Sequence, residues 1–87
     1  MADYRDRARC RNEDPELFYP LGEGRAFAEQ IAEARQVCEA CPVRAECLED
    51  ALGRREPDGI WGGLTAYERR ALLRRQRDQR RQLPRAG

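Results

Sequence analysis

The sequence predicts an all-α fold, a small arrangement of four helices, and three observations support it. Apolar side chains recur with the helical period through residues 25–39. A proline and a glycine, each suited to a helix boundary, enclose a second apolar arc in residues 42–53. A threonine and a glutamate three residues apart form a capping box at residues 65–68. No stretch shows the alternation of a half-buried strand, and 87 residues allow one domain at most.

The N-terminal part of the chain is charged and mildly helical over residues 2–11, and we expect this first helix to deliver Cys10. Residues 12–24 are predicted to be a loop because two prolines interrupt any helix there. An apolar run, residues 17–19, lies inside that loop. It fits a plug over a small core and a partner contact equally well.

The second helix is predicted over residues 25–39. Its apolar stripe continues one turn further and consists of Phe27, Ile31, Ala34, Cys38 and Cys41. These positions fall within one narrow face at about 100° per residue. Both cysteines of the stripe are therefore expected to face the core and not water.

The third helix is predicted to begin at Pro42 and to end at Gly53, because proline suits the first helical position and glycine the C-terminal stop. Residues 54–63 then form a turn, in which Gly59, Gly62 and Gly63 surround the only tryptophan, Trp61. Glycine permits left-handed and tightly folded backbone, so we expect this tryptophan to be fixed and buried on one side.

The fourth helix is predicted from Ala66 to about Gln79, with Thr65 as N-cap and Glu68 completing the capping box. It carries a positive stripe of arginines spaced i, i+4, i+7 and i+11. The stripe consists of Arg70, Arg74, Arg77 and Arg81. A helix this polar bridges solvent, is stabilised by a partner or is partly unfolded.

Composition indicates that the chain needs more than a hydrophobic core. Mean hydropathy is −0.95 and 38% of the residues are charged. Chains of this size usually depend on disulfides, a metal or a partner. The N-terminus has no apolar segment typical of a signal peptide or a membrane helix, so we expect a cytoplasmic protein with no membrane partner. Thiols in the cytoplasm are usually kept reduced, and this favours metal binding by the cysteines over disulfides.

The net charge of +1 hides a strong asymmetry. Residues 1–53 hold 7 arginines and 12 acidic residues, a net charge of −5. Residues 54–87 hold 10 arginines and 4 acidic residues, a net charge of +6. An acidic body with a basic C-terminal segment predicts two different partners.

The four cysteines have the spacing Cys10-x27-Cys38-x2-Cys41-x5-Cys47, and the chain has no histidine. Four thiolates suit either structural zinc or an iron–sulfur cluster, and both contribute folding energy. The spacing alone is compatible with zinc and with an iron–sulfur cluster, and it somewhat favours zinc. A thiol–disulfide reductase is a third reading, but it needs a strand context and an exposed thiolate that the sequence does not predict. We therefore expect no enzyme, although the metal-free chain would keep thiol–disulfide chemistry.

The four-cysteine spacing, followed by Gly59-Ile60-Trp61-Gly62-Gly63 and then by an arginine-rich segment, resembles the WhiB-like family of actinobacterial iron–sulfur regulators. The resemblance covers nearly the whole chain. It implies helices wrapped around a 4Fe–4S cluster, with Cys10, Cys38, Cys41 and Cys47 as its ligands. It also implies a cluster that reacts with nitric oxide and, more variably, with oxygen.

The same resemblance implies two macromolecular partners. One is the C-terminal region of the principal sigma factor of RNA polymerase, contacted by Tyr4, Phe18, Tyr19 and Trp61. The other is promoter DNA, contacted by Arg70, Arg74, Arg77 and Arg81. Residues 1–68 would then form the cluster-binding and sigma-contacting domain, and residues 69–87 the DNA-contacting segment.

Two features depart from the family pattern. Tyr4 stands where close relatives often carry Trp, so stacking there differs. The C-terminal tail also has no Arg-Gly-Arg-Pro-like minor-groove hook. DNA contact is therefore expected to rest on phosphates, which supply affinity and position without base reading.

Overall fold

A computed structural model describes residues 7–82 of the chain. Its three α-helices are α1, Ala28–Glu39; α2, Arg44–Arg54; and α3, Ala66–Gln82. Three short 3-10 turns precede α1, at Arg9–Asn12, Pro15–Phe18 and Arg25–Phe27. The described residues contain one isolated bridge, between Trp61 and Leu64, and no strand. The predicted all-α class is confirmed.

The described part of the chain has three α-helices where the sequence predicted four. Half of the predicted N-terminal helix over residues 2–11, namely residues 2–6, lies outside the described residues. Its described end, Arg9–Asn12, is a 3-10 turn that buries no side chain. A fourth α-helix is thus not confirmed, because an isolated turn without an apolar face gains too little to continue as a helix.

The core forms where α1 packs on the loop that precedes it. Ile31, Ala34 and Cys38 are buried on one face of α1, as the apolar stripe predicted. They meet Phe18 and Ile60 in one hydrophobic cluster. Phe18 is 7% exposed, so the apolar run in the loop acts as a plug over the core.

That loop is more ordered than predicted, because Pro15–Phe18 forms a 3-10 turn. The side chain of Asp14 accepts a hydrogen bond from the Glu16 backbone N–H at 3.0 Å and caps the turn. Proline suits the first position of such a turn, since its φ is already set. The Gln30 side-chain amide of α1 also donates to the carbonyls of Glu16 and Leu17, which fastens the plug to the helix.

The boundaries of α2 differ from those predicted. The helix begins at Arg44, two residues after Pro42, and it continues through Gly53 to Arg54. The predicted stop at Gly53 is wrong. Arg55 takes the left-handed conformation instead, with φ 54°, and its backbone N–H bonds back to Leu52. Ion pairs from Arg54, to Asp50 at 3.2 Å and to Glu56 at 2.7 Å, stabilise this ending without a glycine.

The segment between α2 and α3 contains a tight two-residue hairpin. Trp61 and Leu64 exchange backbone hydrogen bonds of 3.0 and 3.1 Å. Gly62 and Gly63 lie between them with φ of 59° and 84°. Two successive positive φ values are the requirement of a type I′ turn, which glycine meets without steric cost.

The predicted capping box begins α3. The Thr65 N–H donates to Oε1 of Glu68 at 2.9 Å, and the Glu68 N–H donates to Oγ1 of Thr65 at 3.2 Å. The helix then runs to Gln82, three residues beyond the predicted end. No helix among residues 7–82 is long and apolar enough to span a membrane.

Candidate metal centre

All four cysteines line a single cavity of about 180 Å³. Cys38 comes from the last turn of α1 and Cys47 from the first turns of α2. Cys41 lies in the short connection between these helices, and Cys10 arrives from the first 3-10 turn. Residues separated by up to 37 positions in the sequence are thereby brought around one space. The cavity wall is completed by apolar groups, among them Phe18, Val37, Ile60 and Trp61.

The cavity favours neutral thiols as long as nothing positive occupies it. Burial raises the pKa of Cys10 and of Cys38, and it raises the pKa of Cys47 to about 11. The neighbouring sulfurs raise these pKa values further, because each thiolate repels the next. Thiolates at this site therefore need a cationic centre, which is the condition that a metal or a cluster meets.

Backbone hydrogen bonds from the hairpin oppose the upward pKa shifts of two of these thiols. A backbone hydrogen bond from Gly62 lowers the pKa of Cys47, and one from Gly63 lowers that of Cys38. The Arg9 N–H lies 3.5 Å from the Sγ of Cys41. Such donors to sulfur stabilise the anionic form and tune the potential of a thiolate-bound cluster.

A single zinc ion and a 4Fe–4S cluster require different arrangements of four sulfurs. Zn–S bonds of about 2.3 Å place the sulfurs of a tetrahedral site about 3.8 Å apart. Within residues 7–82, no three acidic or cysteine side chains come together closely enough to hold one metal ion. Four sulfurs spread around a cavity of about 180 Å³ fit a polynuclear group, such as a 4Fe–4S cluster, better than a single zinc ion.

The hairpin covers the cavity from the side of α2. A Cβ on Gly62 would lie 2.5 Å from the Cβ of Leu48, so only glycine permits this close approach. The guanidinium of Arg44 donates from Nε to the Gly62 carbonyl at 3.0 Å. The first residue of α2 therefore ties the hairpin to the helix that carries Cys47.

Arg69 holds the same segment from α3, and sequence reasoning missed its role. Arg69 is only 2% exposed to solvent, and its guanidinium donates to four backbone carbonyls. Arg69 falls within residues 69–87, the segment that the resemblance assigns to DNA contact. One signal was available, since Arg69 follows Thr65 by four residues and precedes Leu72 by three, which places it on the inner face of α3.

The aromatic residues expected to contact a partner have different environments. Trp61 is half-buried, lines the cavity and carries the Arg54 guanidinium 4.7 Å from its ring centre. Tyr19 is 48% exposed and lies against Gly59, whose Cβ position would be 2.7 Å from its ring. Phe18 is buried in the core. Tyr4 lies outside the described residues, and contact with a partner stays a prediction for all of them.

The four arginines of the predicted DNA-binding stripe are all exposed on α3. They are Arg70, Arg74, Arg77 and Arg81. Arg77 lies 3.7 Å from the carboxylate of its neighbour Asp78, and both side chains are more than half exposed. The stripe is thus available to solvent, and its contact with DNA stays a prediction.

The sequence of this chain is similar to those of known transcriptional regulators. The chain matches the family "Transcription factor WhiB" over residues 4–72. It is 52% identical over 73 residues to transcriptional regulator WhiB1 of Mycobacterium tuberculosis, covering 84% of this chain and 87% of that protein. It is 49% identical over 79 residues to WhiB1 of Bifidobacterium longum, covering 91% and 86%. It is also 47% identical over 75 residues to the redox-responsive transcriptional regulator WhiB3 of Mycolicibacterium smegmatis, covering 84% of this chain and 78% of that protein.

The structure places four cysteines around one cavity and a glycine-framed tryptophan turn above it. Together with this extent of similarity, these features show that the chain belongs to the WhiB family of transcription factors.

Proposed function

We propose that this protein is a cytoplasmic transcriptional regulator that holds a 4Fe–4S cluster through Cys10, Cys38, Cys41 and Cys47. The observation that carries the proposal is the convergence of these four residues on one cavity beneath the hairpin. The cluster supplies a positive iron–sulfur core for the thiolates and a reaction with nitric oxide or oxygen. The regulator names of the relatives support a role in transcription rather than in catalysis.

The protein binds the C-terminal region of the principal sigma factor through the surface beside the cavity. Tyr19 and Trp61 both line the cavity, and both flank Gly59. Partly exposed aromatic rings held by rigid backbone are typical anchors of protein interfaces. Occupancy of the cavity and shape of this surface are coupled, because the same hairpin forms both.

Contact with promoter DNA is made by the arginine stripe on α3. Four arginine side chains are exposed on this helix, those of Arg70, Arg74, Arg77 and Arg81. From Arg70 to its end, the helix carries a single acidic residue, Asp78. Guanidinium groups on such a surface bind phosphates without reading bases. Sequence preference then comes from the sigma factor and not from this chain.

The response to a signal follows from the role of the cysteines in the fold. They join the N-terminal segment, α1 and α2 around one centre, and the remaining core is small. Loss or nitrosylation of the cluster removes that common anchor, so the three segments are no longer held together at one point. The surface that binds the sigma factor therefore changes when the cluster is lost.

Anaerobic purification tests the proposal directly. The protein should be brown, contain iron and acid-labile sulfide, and co-purify with the C-terminal region of the principal sigma factor. Visible spectra taken before and after addition of nitric oxide report the reaction of the cluster. Colourless, folded protein with one zinc ion per chain would favour the alternative, a structural zinc module that binds nucleic acid.

A further inference from the structure

A buried side chain of α3, that of Arg69, holds the segment that precedes this helix. Arg69 donates from one terminal nitrogen to the carbonyls of Gly59, at 2.6 Å, and Leu64, at 2.9 Å. Its other terminal nitrogen donates to the carbonyls of Glu56, at 3.1 Å, and Asp58, at 2.8 Å. These four carbonyls lie on both sides of the hairpin, and a planar guanidinium is the only side-chain group that reaches them all at once.

Burial of this arginine has a cost that indicates a specific role. Desolvation lowers the pKa of Arg69, and the carboxylate of Glu56 opposes that shift. A buried cation persists where its hydrogen bonds are satisfied by groups that would otherwise stay unpaired. Here these groups are the backbone carbonyls of Glu56, Asp58 and Gly59, while the Leu64 carbonyl accepts both from Arg69 and from the Trp61 N–H of the hairpin.

The position of the hairpin decides which donors face the cysteines. Gly62 lines the cavity and has contacts with α2 that leave no space for a Cβ. The carbonyls that Arg69 holds, those of Gly59 and Leu64, flank Gly62 and Gly63 in sequence. A shift of the hairpin would therefore move the two backbone N–H groups away from the sulfurs of Cys47 and Cys38.

We propose that Arg69 is a positioning residue for the metal centre. It holds the hairpin so that the Gly62 and Gly63 N–H groups stay on the ligand sulfurs, and it thereby sets the reduction potential and the lifetime of the bound cluster. The inference rests on the proposed function, since it requires a cluster at this site. It differs from a purely structural role because its effect reaches the electronic properties of the cluster.

The same contact connects the cluster to the basic helix. Arg69 lies between Glu68, which pairs with Arg35 of α1 at 2.7 Å, and Arg70, the first residue of the stripe. Both links start from the first turn of α3. The orientation of the stripe is thus fixed relative to the cavity by two adjacent residues.

The test compares wild type with Arg69→Met and Arg69→Lys, and with Arg75→Met as matched control. Arg75 is exposed on the same helix, so its variant removes one charge without touching the hairpin. Each holoprotein is prepared without air. The readouts are hydrogen exchange of residues 56–65, the reduction potential and Fe–S stretching frequencies of the cluster, and the rate of cluster loss in air.

In the wild type, the hydrogen-bonded amides of this segment, those of Ile60, Trp61 and Leu64 among them, should be protected, while those at the exposed end of α3 exchange quickly. In both Arg69 variants, the reduction potential should fall, because N–H donors to sulfur favour the more negative, reduced cluster. Cluster loss should accelerate by about 10-fold or more, the usual effect of removing an outer-shell contact. Arg75→Met should behave as wild type in all measurements.

Three results would overturn the inference while leaving the proposed function intact. The first is a potential and Fe–S frequencies in Arg69→Lys equal to those of wild type. The second is an equal effect of Arg75→Met. The third, which needs no variant to fold, is a wild-type holoprotein whose residues 56–65 exchange as fast as the end of α3. A wild type that binds no cluster would instead contradict the proposed function itself.

Discussion

The guanidinium of Arg35 donates to Oε1 of Glu68 over 2.7 Å and joins α1 to α3. The same oxygen accepts the Thr65 N–H at 2.9 Å, so one carboxylate both caps α3 and pairs with α1. Glu68→Ala should lower the free energy of unfolding of the holoprotein by about 1–2 kcal/mol. Most of that is loss of the cap, since the ion pair is more than a third exposed and contributes little. Urea denaturation measures it, with exposed Glu33→Ala as control; equal effects of the two variants would contradict the assignment.

Gly62→Ala should destabilise the holoprotein by about 2 kcal/mol or more. Alanine at φ 59° adopts a left-handed conformation at a cost of about 1–2 kcal/mol, and its Cβ would meet Leu48 at 2.5 Å. Gly53→Ala is the matched control, because Gly53 lies inside α2 with nothing within 4 Å of its Cβ position. This control should gain about 0.5–1 kcal/mol. Thermal or urea unfolding followed by circular dichroism compares them, and a neutral Gly62→Ala would show that the hairpin can move off α2.

Trp61→Ala should weaken binding to the C-terminal region of the principal sigma factor more than it weakens cluster retention. Trp61 is half-buried and held on one side by Arg54, so part of its ring remains for a partner. Aromatic anchors at the centre of an interface are commonly worth about 2 kcal/mol or more, a loss of about 30-fold in affinity. Calorimetry or fluorescence anisotropy measures the binding, and absorbance follows the cluster. Parallel losses in both measurements would assign Trp61 to the core alone.

Affinity for promoter DNA should depend steeply on salt. Four phosphate contacts, one for each arginine of the stripe on α3, give a slope of log affinity against log salt of about −3.6. The double variant Arg74→Gln/Arg77→Gln should reduce the slope to about −1.8, while Arg25→Gln, at an exposed arginine outside α3, should leave it unchanged. Gel-shift or anisotropy titrations over a range of salt concentrations test this. A slope that is the same in wild type and double variant would remove the stripe from the interface.

Removal of the cluster should unfold much of the protein. The four cysteines join the N-terminal segment, α1 and α2, and the buried hydrophobic cluster outside them is small. Cluster-free protein, prepared with chelator and oxidant and then reduced, should lose helical circular dichroism and its cooperative thermal transition. Anaerobic reconstitution with iron and sulfide should restore both. Equal helicity and stability with and without the cluster would show that the chain folds on its own hydrophobic contacts.

Several features of this protein were predictable because they depend on residues that are close in sequence. The stripe Ile31, Ala34 and Cys38 follows the period of a helix, and the structure buries all three. Thr65 and Glu68 form the capping box that their spacing predicts. The all-α class follows from the same local patterns, since helix hydrogen bonds and caps join residues only three or four positions apart.

The helix ends were predicted less well, and Gly53 shows why. Glycine favours a helix stop, but the ion pairs of Arg54 and the backbone bonds of Arg55 and Glu56 move the end of α2 past it. The left-handed conformation then falls on Arg55, which no local preference indicates. The helix preference against glycine is only about 1 kcal/mol, so the ion pairs and the backbone hydrogen bonds together override it here.

By itself, the sequence determined the presence of α1, α2 and α3, the glycine-framed turn and the four thiols, because each is encoded in spacing along the chain. Tertiary structure alone decided that the thiols surround one cavity, that Phe18 covers the core, and that Arg69 turns inward to hold the hairpin. The physical reason lies in long-range packing. An arginine is exposed or buried according to the carbonyls that the rest of the chain brings within its reach, and these come from residues 5 to 13 positions away.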